Sequence, residues 1–358
     1  MPPIATPTHD LAFFTDVEQF RSIALPILES DTTLNTLALA AVLSVSESKP
    51  GVVLGLLTNS STSSRHVLVS PGFQGIGCQL YVAPAPADED SAKLIAQQLP
   101  NLPCTTVSTT SAGAALLQHY CSWQAKHHMN VMLYKPEKSN STCAAMAGVL
   151  SSAAAEPPHT AAAAGIGNTD RATEAAAAAA AAAAGLSAPS STTPSLQLRS
   201  CSADSAADVQ LVMQWAGEFL QEVFHLASVP AAPQLQAMVL PRLQQGLYYV
   251  LCNSAAAAAA AGPAAPVCMA GHVPTSSDST RITMLYTPAA QRGRGYGRHA
   301  MRLLCSRLAG SGYQRICLMA DQAEPVVNRL YKSVGFVAVG DAAMLERPEA
   351  PGMAPESN

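Results

Sequence analysis

The stretch that most constrains this chain runs from Arg281 to Arg298 and reads RITMLYTPAAQRGRGYGR. Its first residues alternate in character, which predicts a half-buried strand that Pro288 ends. The alternating sets are Ile282, Met284 and Tyr286 against Thr283, Leu285 and Thr287. Three glycines follow, and the apolar residues after them recur at helical spacing, so a loop is predicted to open directly into a helix. The glycines are Gly293, Gly295 and Gly297, and the spaced apolar residues are Met301, Leu304, Cys305 and Leu308.

This strand-loop-helix junction is predicted to bind an anion. Glycines leave backbone N–H groups uncovered, and the start of a helix adds the positive end of its dipole, so the two together suit phosphate or pyrophosphate. Between Asp278 and Asp321 the chain carries no carboxylate. The arginines in that interval are Arg281, Arg292, Arg294, Arg298, Arg302, Arg307 and Arg315. In a chain of formal net charge −4, this concentration of positive charge favours an anionic ligand.

The spacing of the glycines separates the phosphate-binding loops that the junction could form. A dinucleotide-binding loop has the pattern G-x-G-x-x-G and a later acidic residue for the ribose, whereas this loop reads G-x-G-x-G with no suitably placed acid. No P-loop of the form G-x-x-x-x-G-K-[ST] occurs in the sequence. The pattern that fits is R-x-x-G-x-G, from Arg292, Gly295 and Gly297.

With these residues the chain resembles the GNAT superfamily of acyl-CoA-dependent N-acyltransferases, whose pyrophosphate loop has this pattern. The family places a strand ending in L-x-[VT] before the loop, matched by Leu285, Tyr286 and Thr287. Further along it places N-x-x-Y ahead of G-F, matched by Asn328, Tyr331, Gly335 and Phe336. The sub-pattern YTP-x-x-x-RGRGYG looks most like that of a group of two-domain members.

The resemblance implies an α+β fold with a mixed sheet and the transfer of an acetyl group from acetyl-CoA to an amine, by direct attack in a ternary complex. It implies that the backbone of Leu285, Tyr286 and Thr287 binds the pantetheine and polarises the thioester carbonyl. The residues implied to hold the pyrophosphate are Arg292, Gly293, Arg294, Gly295, Tyr296 and Gly297. Tyr331 matches the general acid of the family, and Asn328 matches its companion that contacts the cofactor.

The general base is left open by the sequence. Many family members carry a carboxylate on the strand before the loop, but residues 281–287 hold none. Glu222, His272, Asp278 and Asp321 are candidates, and deprotonation relayed by water or assisted by the backbone is an equal alternative. The missing carboxylate also motivates a rival interpretation, in which the chain is a non-catalytic acyl-CoA-binding or interaction module. The acceptor stays open among small amines, amino acids, peptide N-termini and lysine.

The chain is predicted to hold two similar domains. Residues 11–135 and 195–346 show the same order of helices and strands, so the first is interpreted as a degenerate GNAT-like copy and the second as the catalytic domain. Residues 136–194 read as a low-complexity linker rich in Ala, Ser and Pro, and 347–358 as a disordered tail. Where the second domain has its glycine loop, the first has Asp88-Glu89-Asp90, which would repel a pyrophosphate. We therefore expect the first domain not to bind coenzyme A.

The sequence also predicts where particular helices and strands of the two domains begin and end. The first domain is predicted to open with a helix over Val17–Leu28. Near its end, a helix over Ala112–Ala125 is predicted to precede a strand over Asn130–Tyr134. In the second domain, two separate strands, Phe336–Val339 and Ala343–Leu345, are predicted to close the sheet.

Composition and charge exclude several classes of protein. With 20 basic and 24 acidic residues, no bulk attraction to nucleic acid or anionic membranes is implied. The nine cysteines are scattered without zinc-ligand spacing, which predicts no metal site and suits a reducing compartment. The beginning of the sequence lacks the basic region of a signal peptide, and the longest alanine tract, Ala175–Ala184, is too short to cross a bilayer. A cytoplasmic protein is predicted, and its oligomeric state is not indicated.

Overall fold

Residues 9–72, 79–136, 196–254 and 264–348 are described by the computed structural model of this chain. Those within 9–136, 196–252 and 266–348 form one compact unit, and a second unit, 138–195 with 253–265, falls largely outside the described residues. The predicted linker, the predicted tail, the glycine-rich residues 71–77, which the sequence predicts to be a turn, and the alanine tract at 255–261 also lie mostly or wholly outside them. The domain boundaries therefore remain predictions.

The first half of the described chain begins with a strand and continues in the order β-α-α-β-β-β-α-β-α-β. Its elements are β1 (His9–Phe13), α1 (Val17–Leu28), α2 (Thr36–Ser44), β2 (Val52–Asn59), β3 (Ser64–Pro71), β4 (Gln79–Ala83), α3 (Glu89–Gln98), β5 (Thr106–Thr109), α4 (Ser111–Tyr120) and β6 (Gln124–Tyr134). Side-chain oxygens of Asp16, Asp88 and Thr110 cap α1, α3 and α4 and satisfy backbone N–H groups that those helices leave unpaired.

The second half repeats that order element by element. Its elements are β7 (Leu196–Ser200), α5 (Ala206–Val223), α6 (Ala232–Gln244), β8 (Tyr248–Asn253), β9 (Ala265–Pro274), β10 (Ser279–Tyr286), α7 (Tyr296–Gly310), β11 (Arg315–Asp321), α8 (Pro325–Val334) and β12 (Phe336–Glu346). The mixed α and β architecture predicted for the chain is therefore present in both halves.

The two halves exchange their last strands within a single sheet. The described residues form a twelve-stranded sheet in the order β1-β2-β3-β4-β5-β12-β6-β11-β10-β9-β8-β7. Read inward from each edge, one side runs β1 to β5 and then β12, and the other runs β7 to β11 and then β6. β12 pairs antiparallel with β5, β6 pairs antiparallel with β11, and the two exchanged strands pair with each other from Phe336↔Tyr134 to Glu346↔Gln124.

The exchanged strands also fill the core of the opposite half. Ala343 and Leu345, on β12, are fully buried in a cluster whose other members all come from the first half. Met132, on β6, is fully buried in a cluster that otherwise belongs to the second half. Because burial of such side chains contributes most of the stabilisation of a core, neither half can pack fully without a strand from the other.

Three predicted boundaries are wrong, and each error has a structural reason. The first half opens with β1 rather than α1, since residues from His9 to Phe13 pair with β2. α4 ends at Tyr120 and β6 begins at Gln124, because the polar start of β6 extends past the end of β11 and pairs with β12. β12 is one continuous strand, because a bulge around Val339 absorbs the irregular residues that resembled a turn.

The strand exchange predicts that both halves unfold in one transition. Trp123 lies in the core of the first half, and Trp215 is buried in α5 of the second. In denaturant titrations, the single-tryptophan variants Trp123→Phe and Trp215→Phe should report fluorescence transitions that coincide with their circular dichroism transitions. Leu345→Ala should lower the free energy of unfolding by about 2–5 kcal/mol as seen by either tryptophan. Two separable transitions, or a loss seen only by Trp215, would contradict this account.

Candidate functional site

The two central parallel strands of the second half diverge and leave an open wedge. β10 and β11 pair at only three positions, from Ser279↔Arg315 to Arg281↔Cys317. Beyond Arg281 both strands continue, β10 paired to β9 and β11 paired to β6 on their outer edges. The inner edges, which face each other across the wedge, carry backbone groups that no strand of the described residues pairs. Such edges are available to a ligand that lies between the strands.

A β-bulge re-aims the residues of β10 inside the wedge. Thr283 pairs with Gly271 and Tyr286 with Met269, so Met284 and Leu285 together oppose one residue of β9. Met284 has a φ of 52°, in the left-handed region that non-glycine residues seldom adopt. The Tyr248 hydroxyl donates a hydrogen bond of 3.3 Å to the Met284 sulphur.

The bulge changes the faces predicted from the alternating sequence. Ile282, Met284 and Tyr286 are all buried, as the alternation requires. They do not share one face. Alternation places Ile282 and Leu285 on opposite faces, but both pack in the same cluster with α7 and α8. Tyr286 instead faces α5, where its ring lies 6.4 Å from that of Trp215. A one-residue bulge reverses every later side chain, and the sequence carries no signal for it.

Two glutamates of α5 receive the side chain of Tyr286. The Tyr286 hydroxyl donates to Glu218 Oε2 at 3.0 Å and to Glu222 Oε1 at 3.2 Å. Burial, and then the hydrogen bond to Glu218, raise the pKa of Tyr286 above its ordinary value. The phenol therefore stays protonated and acts as a donor to both carboxylates.

Arg292 braces the start of the glycine-rich loop. Its guanidinium forms a 2.5 Å ion pair with Glu222, and its Nε donates to the Thr287 carbonyl at 2.9 Å. The guanidinium carbon also lies 5.7 Å from the centre of the Tyr286 ring. The predicted pyrophosphate residue Arg292 is thus turned toward α5, and it holds the loop against β10.

The loop itself has the form of an open anion cradle. Gly293 and Gly295 have φ values of 77° and 78°, and a Cβ added at either would meet nothing within 4 Å. Their backbone conformation therefore requires glycine, and the space above them is open. Gly295 is the N-cap of α7, and no side chain caps this helix. Its first N–H groups therefore point outward with the positive end of the dipole.

The remaining residues predicted at the loop line the cradle or support it. Arg294 and Arg298 are exposed, and neither forms an ion pair in the described part of the chain. Tyr296 is half-buried and packs against a cluster formed by β8, β9 and α7. A Cβ on Gly297 would come within 3.3 Å of Leu330 and 3.7 Å of the Thr287 hydroxyl. Gly297 therefore lets α7 approach both the end of β10 and α8.

The corresponding position in the first half carries an acid in place of the cradle. Asp88 caps α3, accepting from the Ser91 N–H at 2.8 Å and from Asn59 Nδ2 at 3.1 Å. Burial alone would raise the pKa of Asp88, but the hydrogen bonds from Ser91 and Asn59 bring it below its ordinary value. A cavity of about 30 Å³ lies beside β4 and β5 and is lined in part by Tyr81 and Ser108. The carboxylate at this helix start is the reason why we predict that this half does not bind coenzyme A.

Tyr331 and Thr287, both predicted site residues, are brought together with a cysteine that sequence reasoning missed. Tyr331 is nine-tenths buried on α8, and its ring meets Phe336 edge-on at 6.0 Å. Burial raises the pKa of Tyr331, and the neighbouring Cys268 adds to this effect. The Thr287 hydroxyl donates to Cys268 Sγ at 3.3 Å, and burial raises the pKa of that thiol to about 11. Among the described residues none hydrogen-bonds to the Tyr331 hydroxyl, so it keeps its proton and its donor capacity.

Asn328 anchors the beginning of α8. Its amide nitrogen donates to the carbonyls of Asp321 at 2.6 Å and Glu324 at 2.8 Å. Its oxygen accepts from Asn130, on the exchanged strand β6, at 3.0 Å. Both amide hydrogens are used inside the protein, and only a lone pair on the oxygen is left for a ligand. The contact between Asn328 and a cofactor remains a prediction.

The candidate bases occupy very different surroundings. Burial lowers the pKa of His272 to about 4, and its Nδ1 lies 2.8 Å from the Thr280 hydroxyl. Asp278 pairs with Arg315 at 2.9 Å, at the end of β10 opposite the loop. Asp321, at the end of β11, has an oxygen 3.8 Å from His127 Nδ1. None of these three is oriented toward the bulge by a contact in the structure.

Glu218 is the acidic residue near the bulge that the sequence did not single out. It accepts hydrogen bonds from Tyr286 and, at 2.9 Å, from Gln214, but it pairs with no cation in the described residues. Glu222, one turn later on the same face of α5, is neutralised by Arg292. The spacing of four residues was the available signal, because it places both acids on one face of the helix. Glu218 thus lies beside the end of β10 without a cationic partner among the described residues.

Two further classes of feature were sought within the described residues. No group of three or more His, Cys, Asp or Glu side chains there has an arrangement that could hold a metal ion. No helix there is long and apolar enough to span a membrane.

The second half thus combines a split sheet, a bulged strand and a glycine-rich loop at an uncapped helix. Residues 220–336 match the model of the acetyltransferase (GNAT) family. The family predicted from R-x-x-G-x-G is therefore confirmed for residues 220–336, which lie in the second half of the chain. No curated protein sequence gives a significant match to this chain.

Solved structures with the GNAT fold align with nearly the whole chain. A GCN5-related N-acetyltransferase from Sphaerobacter thermophilus aligns with a TM-score of 0.55 and 11% identity, covering 98% of each chain. A tandem GNAT protein from the clavulanic acid biosynthesis pathway aligns at 0.52 and 11%, covering 96% of this chain and 100% of that one. An acetyltransferase of the GNAT family from Colwellia psychrerythraea aligns at 0.50 and 8%, covering 95% and 100%. At these identities the likeness concerns the fold, and the predicted GNAT-like first half is confirmed as a fold.

The conformation of the loop predicts a specific cost for substitution at Gly295. Gly295→Ala forces a Cβ into the left-handed region and should lower the free energy of unfolding by about 1–2 kcal/mol, even though no atom is in its way. Gly310→Ala is the matched control, because Gly310 ends the same helix with equally open space and no positive φ, and it should be neutral or slightly stabilising. Denaturant titration measures both. Equal effects at the two glycines would show that Gly295 does not hold this conformation.

Proposed function

We propose that this protein is an N-acetyltransferase that moves an acetyl group from acetyl-CoA to an amine by direct attack within a ternary complex. The observation that carries the proposal is the continuity of the open edge of β10, its bulge, and the uncapped start of α7. Together they offer backbone donors for a thioester carbonyl at one end and for a pyrophosphate at the other. The family match supports acyl transfer as the class of reaction.

In this proposal acetyl-CoA lies in the wedge between β10 and β11. The pyrophosphate rests on the N–H groups of the loop from Arg292 to Gly297, with Arg294 and Arg298 free to add charge. The pantetheine follows the inner edge of β10 at Leu285, Tyr286 and Thr287. A backbone N–H at the bulge stabilises the oxyanion that forms when the amine attacks.

Tyr331 is assigned as the general acid. The amine nitrogen forms a bond to the carbonyl carbon, and the carbon–sulphur bond then breaks as the tetrahedral intermediate collapses. The Tyr331 hydroxyl gives its proton to the departing sulphur, and solvent restores it. Burial, which raises the pKa of Tyr331, keeps the proton in place until sulphur charge develops. The proton of the ammonium leaves to a carboxylate or to water.

The seven cysteines of the described residues, all of them free, suit a reducing compartment. We therefore propose a cytoplasmic protein. Its partners in this account are acetyl-CoA and an amine acceptor.

Binding at the loop is tested by calorimetric titration with acetyl-CoA. Wild-type protein should bind with a dissociation constant between about 1 µM and 1 mM. Gly295→Glu places a carboxylate in the cradle and should weaken binding by about tenfold or more, because it repels the pyrophosphate. Gly310→Glu adds the same charge at the far end of α7 and should bind as wild type does. Absence of binding in the wild type would overturn the proposal.

The acid role is tested with Tyr331→Phe. Loss of the proton donor should lower kcat by about 10²–10⁴ while the affinity for acetyl-CoA is unchanged. The rate is measured as the release of coenzyme A in the presence of each amine of a panel. Chromatography detects the released coenzyme A. Tyr313→Phe removes a hydroxyl from the same cluster and should keep wild-type kcat.

Two outcomes would speak against these assignments. Full turnover in Tyr331→Phe would remove Tyr331 from the reaction. Acetyl-CoA binding with no turnover across the panel would favour the rival function, a non-catalytic acyl-CoA-binding module. That rival is motivated by the absence of a carboxylate from residues 281–287.

A further inference from the structure

Two arginines of the second half lie at the closed end of the wedge without an acidic partner. Arg281 is the last residue of β10 that pairs with β11, and Arg242 lies in the last turn of α6. Among the described residues neither has a carboxylate within ion-pair distance. The Nε of Arg281 is buried and has no hydrogen-bond partner there. We call Arg281 and Arg242 the arginine pair.

The pairing register shows which face of the sheet carries Arg281. Arg281 pairs with Cys317, so their side chains project to the same face. Cys317 Sγ donates to Thr36 Oγ1 at 3.4 Å, and Thr36 begins α2. The first half therefore covers this face, and Tyr81 of β4 lies close enough to Arg281 to interact with its charge.

Arg242, in the last turn of α6, lies close enough to Arg281 for the two charges to interact. It lies beside the Tyr248 hydroxyl, which donates to Met284 at the bulge. Burial lowers the pKa of Arg281, and Arg242 is near enough for its positive charge to contribute to this effect. Arg281 and Arg242 are each half-buried as whole residues, while the Nε of Arg281 is buried.

The guanidinium of Arg281 is poorly stabilised by the protein alone, because its buried Nε has no acceptor among the described residues. A buried donor without an acceptor costs about 1–3 kcal/mol, and more when it is charged. Guanidinium does not lose its proton in proteins, so deprotonation cannot remove the cost of burying this charge. The phenols of Tyr81 and Tyr248, whose pKa values are raised by burial, carry no negative charge to compensate it. The missing partner is an anion.

The position of the pair relative to the loop identifies which part of a ligand would reach it. Arg281 lies five residues before Tyr286, the last residue of β10, and at about 3.3 Å per residue this separates the two by roughly 16 Å along the strand. A coenzyme A whose pyrophosphate is held by the loop directs its thioester back along β10, toward the pair. An anion at the pair therefore belongs to the acyl group or to the acceptor, and not to the coenzyme phosphates.

We propose that the arginine pair binds a carboxylate carried by one of the two co-substrates. Planar carboxylates accept two parallel hydrogen bonds from guanidinium, which makes arginine the side chain suited to such a group. The proposal rests on the proposed function, because it assumes acyl-CoA in the wedge. The carboxylate comes either from the amine acceptor, as in an amino acid, or from a dicarboxylic acyl group.

Two arms of one experiment separate these sources. The acceptor arm compares kcat/KM, with acetyl-CoA as donor, for L-phenylalanine against phenethylamine, L-glutamate against 4-aminobutyrate and L-lysine against cadaverine. The acyl arm compares calorimetric dissociation constants of succinyl-CoA and butyryl-CoA, which differ by the terminal carboxylate and need no turnover. In one of the two arms the compound with the additional carboxylate should have a kcat/KM, or an affinity, about ten- to hundred-fold higher than that of its counterpart. This is the range of a charge-assisted hydrogen bond.

Variants tie the preference to the pair. Arg281→Met should reduce it to about twofold or less, and Arg281→Lys should restore part of it, since one charge returns without the planar fork. Arg242→Met gives a second test should Arg281→Met fail to fold. Arg65→Met removes an exposed arginine of β3 and should leave the preference unchanged.

Each outcome decides between the proposals. Acetyl-CoA turnover with uncharged amines but no carboxylate preference in either arm would overturn the arginine-pair proposal and leave the proposed function intact. The same preference in wild type and in the methionine variants would also overturn it. Tight binding of succinyl-CoA that depends on Arg281, in a protein without amine turnover, would support the pair and overturn the proposed function.

Discussion

The antiparallel pairing of β6 with β12 is the interaction on which the rest of the structure depends. It joins two copies of one fold through the strands that each gives to the other. The pairing fixes β11 against β6 on one side, and with it the wall of the wedge that β11 forms. Asn130 of β6 also holds Asn328 at the start of the helix that carries Tyr331. The first half thus supports the site of the second through backbone and side chain alike.

The two halves differ in how they cap the helix that follows their fourth strand. Where the second half opens an uncapped helix behind glycines, the first half caps its helix with Asp88. A helix start needs an acceptor for its free N–H groups, and either a side chain or a ligand can supply it. The first half satisfies this requirement with its own side chain. The second half leaves the requirement to a ligand, and we infer that the same is true of Arg281.

Local sequence predicted the loop, α7 and the order of elements, because glycine conformation and helical spacing act over a few residues. The family motif extended this to Tyr331 and Asn328. Features that depend on contacts between distant residues were not predicted from the sequence. The choice of β12 as the neighbour of β5 follows from contacts between residues more than two hundred positions apart. The bulge at Met284 leaves no mark in composition, and it alone turns Tyr286 toward Glu218.

The strand exchange has a consequence for how the chain is made. During synthesis β5 emerges long before β12, which pairs with it at Thr109↔Ala343. At roughly 5–20 residues per second, the ribosome needs tens of seconds to add the segment between them. Throughout that interval the growing chain presents an unpaired strand edge, and such edges template association between molecules. The organisation that completes the mature sheet therefore makes the nascent chain a substrate for chaperones.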